Sequence, residues 1–176
     1  MRFFPKYQLL STYYRARSGQ LMLEAMIAIT IAIMGVLGFL SLLSSSVGLN
    51  RVVANQYIGN YLAAEGVEVA KNIIDNNVKR GDPWNLGFAA GGCFEMDYKT
   101  FALGSAVDCT TKTPLGFDAT ESVYSYQGGV NTPFSRIITV TPNGDDELRI
   151  HTEVNWSARG GDFSAIAEDH FFNWRP

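Results

Sequence analysis

The stretch SGQLMLEAMIAITIAIMGVLGFLSLLSSS, Ser18 to Ser46, decides how the rest of the chain is read. From Leu21 to Val47 its only ionisable residue is Glu24. Such a run exceeds the roughly 20 apolar residues that a helix needs to cross the hydrocarbon core of a bilayer. A secretory signal peptide has a shorter apolar core, followed by a small-residue cleavage site. Here the run is longer and reads on into further helix, which argues against removal of the whole hydrophobic segment. Arg2, Lys6, Arg15 and Arg17 precede Gln20 with no acid among them. That basic flank predicts a cytoplasmic N-terminus and an exported C-terminus. Gly35 and Gly38 lie inside the run; glycines let helices approach closely in lipid, and they equally permit bending.

Glu24 is the costly residue. An acid at the centre of a membrane helix costs roughly 2.5–3.5 kcal/mol on insertion scales. Near a helix N-terminus it reaches the interface and meets the positive end of the helix dipole. An interfacial acid therefore accounts for Glu24 by itself, but not for Gly19 directly before Gln20, with Glu24 fifth counted from Gln20. The block RSGQLMLEAMIAITIAIMGVLGFL, with its basic leader, its Gly and its early Glu, resembles the prepilin signal of type IV pilins and pseudopilins. The resemblance implies cleavage after Gly19 by a membrane-embedded prepilin peptidase on the cytoplasmic side, and methylation of the new amine on Gln20. It casts Glu24 as the assembly glutamate, paired with the free amine of a neighbouring subunit. Gln20 stands where the family most often has Phe, and the leader is longer than many.

Downstream, NRVVANQYIGNYLAAEGVEVAKNIIDNNV continues without a break. Its apolar residues fall at Ala54, Tyr57/Ile58, Tyr61/Leu62, Val69/Ala70 and Ile73/Ile74, a helical spacing with one apolar face. No Pro occurs between Pro5 and Pro83. One helix from about Leu21 to about Asn77 would be roughly 80–85 Å long at ~1.5 Å per residue. RGDPWNLG ends it with Gly81, Pro83 and Gly87. In LRIHTEVNW, Leu148, Ile150, Thr152, Val154 and Trp156 alternate with Arg149, His151, Glu153 and Asn155. SRIITVT before it, joined by PNGDD, and FSAIAEDHFFNW after it complete an antiparallel meander. VYSYQGG and the Cys93–Cys109 region read as a connecting loop with one or two edge strands.

The expected fold is therefore α+β: a long N-terminal helix, membrane-spanning in its first half, packed on a small C-terminal antiparallel sheet, as in pilins. The expected divisions are a cleaved leader over 1–19, a helix over 20–78 with its anchor at about 21–47, and an exported β-rich domain over 79–176.

Beyond the leader the chain carries ten basic and seventeen acidic residues. That balance argues against nucleic acid, since neutralising phosphates needs clustered Lys and Arg. Cys93 and Cys109 both lie outside the anchor. They read either as a disulfide in an oxidising compartment or as unlinked, half-buried thiols. A bond between them would close a loop of about 15 residues, worth roughly 3 kcal/mol in the loop-entropy model. Most disulfides of the pilin family close a loop near the C-terminus, whereas this pair precedes the main sheet.

No hydrolase motif appears, and neither enzymatic activity, a metal nor a cofactor is expected. His151 and His170 read as solvated or pairing histidines. Asn143 to Glu147 is read as a hairpin turn rather than a calcium loop. The sequon at Asn155 and the RGD at Arg80–Asp82 carry no weight. The resemblance implies a filament subunit. Its partners would be identical or related pilin subunits, the prepilin peptidase, the inner-membrane assembly machinery and, before assembly, membrane lipid. It would be a single-pass membrane protein first and part of a cell-surface filament afterwards. The alternative is a monomeric, membrane-anchored exported binding or adhesion protein.

Overall fold

The computed structural model describes residues 7–101, 103–158 and 160–174, with side chains from Gly19 onward. One helix, α1 (Tyr7–Arg80), precedes six strands. It begins upstream of the expected Leu21 and ends three residues beyond the expected Asn77. Lys79 and Arg80 place positive charge at its C-terminus, where the dipole favours it. The end is closed by Gly81 N–H to the Val78 carbonyl and Asp82 N–H to the Asn77 carbonyl, the pairing of a Schellman motif.

The chain divides into two compact units, residues 1–49 and 50–176, with the division falling inside α1. In the first unit α1 is apolar and its described residues are almost all exposed, Met22 and Leu42 to over 70%. Its best window reaches a mean hydropathy of 2.5 and is long and apolar enough to cross a membrane.

In the second unit the rest of α1 packs on an antiparallel sheet. The strands are β1 (Gly92–Phe94), β2 (Pro114–Asp118), β3 (Val123–Ser125), β4 (Val130–Asn143), β5 (Glu147–Ala158) and β6 (Gly161–Phe172). Their order is β3-β2-β4-β5-β6. β1 pairs with Ile138–Val140 of β4, and β2 pairs with its Val130–Ser135 end, so two short strands share one edge of a long one. The meander β4–β5–β6 is as the alternation predicts, and Leu148, Ile150, Thr152, Val154 and Trp156 are all buried. The turn between β4 and β5 falls within Asn143–Glu147. The irregular region supplies three strands, β1 to β3, where one or two were expected.

The helix face turned to the sheet differs in detail from the sequence reading. Ile58, Leu62, Ala63, Val69, Ala70, Ile73 and Ile74 pack inward, but Tyr57 and Tyr61 point away, their rings tilted against each other with centroids 5.1 Å apart. Each lies one residue, about 100° of helix, from its inward neighbour, and the phenol tolerates water where Ile and Leu do not.

The core forms two clusters. One joins Val67 to Ile74 with Phe88, Phe94, Met96, Ile138, Val140, Leu148 and Ile150. The other joins Leu62 and Ala63 with Leu115, Phe134, Val154, Trp156 and Ala165. Between them on the strands stand two buried polar residues, Arg136 and Thr152. The helix sits close to the sheet at two glycines. A Cβ on Gly59 would lie 2.5 Å from the Trp156 ring, and one on Gly66 would lie 2.6 Å from Thr152 Cγ2. Gly66→Ala should therefore destabilise the second unit by about 1–3 kcal/mol through overpacking. Gly35→Ala, where an added Cβ meets nothing within 4 Å, should leave it unchanged. Thermal unfolding of the two full-length variants in detergent, followed by near-UV circular dichroism, checks the contrast; equal melting temperatures would contradict the close approach.

Candidate functional site

Gly19, Gln20 and Glu24 all lie within α1 and all are exposed. Gln20 and Glu24 are one turn apart on a single helix face. The Gly19–Gln20 peptide bond sits inside the helix, and Gly19 weakens it there by about 1 kcal/mol relative to Ala. A Cβ at Gly19 would meet nothing within 4 Å, so packing within the chain gives no reason for glycine at this position. The same holds for Gly35, Gly38 and Gly48, in contrast to Gly59 and Gly66. The glycines of α1 thus fall into two classes: those pressed on their own sheet, and those facing open space in the apolar half. Thr30 hides its hydroxyl by donating to the Met26 carbonyl at 2.7 Å, which removes the need for an outside partner in an apolar medium. Glu24 has no such partner among the described residues.

Cys93 and Cys109 form a disulfide, with Cα atoms 5.2 Å apart. It anchors the segment after β1, and a backbone bond from Val107 N–H to the Cys93 carbonyl lies beside it. The sequon at Asn155 lies within β5 and the RGD at the end of α1.

Two polar groupings escaped the sequence reading, around Arg136 and Asp97, and a third gives the two histidines acidic partners. Arg136 is 1% exposed; its guanidinium donates to the Leu62 carbonyl of α1 at 2.9 Å and to the Met96 carbonyl, and pairs with Glu65 at 3.5 Å. Tyr126 donates its hydroxyl to the Arg136 carbonyl, and burial pushes that phenol up to about 12. Asp97, also buried, accepts from Ser125 Oγ, the Tyr126 N–H, the Lys99 N–H and Thr100 Oγ1. Together these tie the helix, the loop after β1, the end of β3 and the middle of β4. On the outer face of β5 and β6, His151 meets Glu168 at 3.0 Å, and His170 bridges Glu147 at 2.6 Å and Glu168 at 3.6 Å. The Glu147 hydrogen bond in particular raises the His170 pKa. Among the described residues no group of three or more His, Cys, Asp or Glu side chains is placed to hold a metal ion.

Comparison of the chain with protein-family models, with curated proteins and with solved structures found no match. The arrangement itself therefore carries the functional argument. Chemically, the apolar half of α1 offers a hydrophobic surface on all sides, one carboxylate near its start and, at Gly19, a glycine that no packing among the described residues requires.

Asp97 gives a test of the polar tie. Burial alone would raise its carboxyl, but the hydrogen bonds from Tyr126, Ser125, Lys99 and Thr100 outweigh it and hold the group below the usual carboxylate range. A lowered folded-state pKa adds stability that is complete above the unfolded value and is lost as pH falls through the folded one. Asp97→Asn should cost on the order of 2 kcal/mol at neutral pH, and the loss should shrink in acid. Denaturant melts of the wild-type and variant chains at neutral and acid pH check this; an equal difference at both would contradict it.

Proposed function

We propose that this chain is a structural subunit of a type IV pilus or a pilus-like filament, processed after Gly19 and assembled through the apolar half of α1. The observation that carries the reading is one carboxylate, Glu24, on an exposed apolar helix, one turn from Gln20 and just after a glycine without a packing role. Cleavage between Gly19 and Gln20 creates a positive amine. In a bundle of such helices an unpaired carboxylate is expensive, and so is an unpaired ammonium. Pairing Glu24 of one subunit with the Gln20 amine of the next meets both needs. Desolvation offsets much of the attraction, so the pair acts chiefly by fixing the stagger between neighbouring helices. Gly35 and Gly38 would let those helices approach closely. The role is structural and not catalytic.

In this account the chain enters the membrane with residues 1–19 cytoplasmic and residues 79–176 exported. An exported location also provides the oxidising setting that the Cys93–Cys109 disulfide needs. Related subunits, the prepilin peptidase and the assembly machinery of the inner membrane are its partners, and the finished filament lies at the cell surface.

Glu24→Ala and Glu24→Gln should leave membrane insertion, leader removal and the β-rich domain intact and should reduce filament yield at least tenfold, since 1.4 kcal/mol suffices for that factor. Electron microscopy of sheared surface material, beside an immunoblot of the membrane fraction, reads both arms. Wild-type filament yield from the Ala variant would return Glu24 to an interfacial role. Loss of the variant from the membrane would instead make it an insertion residue.

A further inference from the structure

A groove of about 460 Å³ lies where the end of α1 meets the C-terminal end of β6, a volume in the range of small-molecule sites. Among the residues lining it are Trp84, Phe172 and Trp174, with Asp75, Asp82 and Asn173. Phe172 and Trp174 are more than half exposed, and with Trp84 they put three large aromatic side chains along one groove. We infer that this groove binds a neutral saccharide, with a pyranose ring laid against the indoles and its hydroxyls donating to the carboxylates.

The walls are fixed before any ligand arrives. Asn77 donates through Nδ2 to the Trp84 carbonyl at 3.3 Å and the Leu86 carbonyl at 3.0 Å. Arg80 in turn donates to Asn77 Oδ1, and Leu86 N–H bonds the Pro83 carbonyl. Trp84 also packs against the larger core cluster. On the other wall Asn173 N–H bonds the Asp146 carbonyl at 2.8 Å, which sets the chain just before Trp174. A preformed wall loses little entropy on binding.

The chemistry favours a sugar over an ion. Asp75 and Asp82 are matched by Lys79 and Arg80 in the last turn of α1, and Arg80 pairs directly with Asp82 at 3.1 Å. The formal charges of these four residues sum to zero. What remains is a groove lined by Trp84, Phe172 and Trp174, aromatic rings of the kind that suit the C–H face of a pyranose, together with acceptors for hydroxyl groups. O–H to carboxylate bonds are among the stronger kind, and Asp75 has no hydrogen bond or ion pair among the described residues. The inference does not depend on the filament reading, since an anchored monomer would carry the same groove.

The test is an NMR titration of the full chain in micelles of a polyoxyethylene detergent, which carries no sugar. The probes are methyl pyranosides of glucose, galactose, mannose and N-acetylglucosamine. At least one should shift the indole N–H signals of Trp84 and Trp174 and leave that of Trp156, buried in the other cluster, in place. Saturation should fit a Kd on the order of 1 mM. Trp174→Ala should weaken binding about tenfold, as loss of an aromatic anchor does, and Asp75→Asn should weaken it severalfold. The unmoved Trp156 signal shows that each variant is folded. No shift with any pyranoside would overturn the inference, and so would binding that survives Trp174→Ala unchanged. Saturation by tetramethylammonium or guanidinium without any pyranoside response would make this a cation site and overturn it equally.

Discussion

Apolar side chains on α1 must leave water, and the two halves of the helix meet that demand differently. From Asn50 to Arg80 only one face is apolar, and the chain's own sheet covers it. From Gly19 to Leu49 the helix is apolar all round and its side chains are exposed. At about 25 cal/mol per Å² of apolar surface, leaving that half in water is untenable. In the proposed account lipid covers it first, and the same half of neighbouring subunits covers it in the filament. The only charge on that surface is Glu24, so whatever covers it must also answer for a carboxylate.

The covered half depends on closeness. Gly59 and Gly66, two turns apart, let the helix backbone come within reach of Trp156 and Thr152. That approach brings the Leu62 carbonyl within 2.9 Å of the Arg136 guanidinium. A buried guanidinium without partners would be ruinous, and one that binds two carbonyls and a carboxylate becomes a fixed point for three chain segments. Asp97 does the same for the loop after β1 through its four hydrogen bonds. These ties join the second half of the helix, the loop after β1 and the sheet into one packed unit of residues 50–176.

Much of this was legible in the sequence because it rests on period. The strict alternation of β5 placed five side chains on the helix side, and all five are buried. The absence of proline from Lys6 to Asp82 marked one long helix, and two cysteines outside the apolar run pointed to the bond that forms. What escaped rests on contacts between distant segments. Arg136 occupies an inward position of β4 among Phe134, Ile138 and Val140, and nothing local says that Leu62 and Met96 will supply its acceptors. Tyr57 and Tyr61 fit an apolar helix face as well as Ile58 and Leu62 do; only the sheet's placement decides between them. β1 is three residues long and exists because β4 offers it an edge. The reading of Gly19, Gln20 and Glu24 as the candidate site rests on their order in the sequence, whereas the open space around Gly19 is visible only in the fold.

The central claim is that Gly19 ends a leader and that Gln20 begins the working subunit. Intact-mass analysis of the chain recovered from surface filaments, with and without reduction, tests this most directly. The account predicts a species that begins at Gln20, with or without one added methyl group, and that gains two hydrogens on reduction of Cys93–Cys109. A species that retains residues 1–19 in assembled material would contradict it.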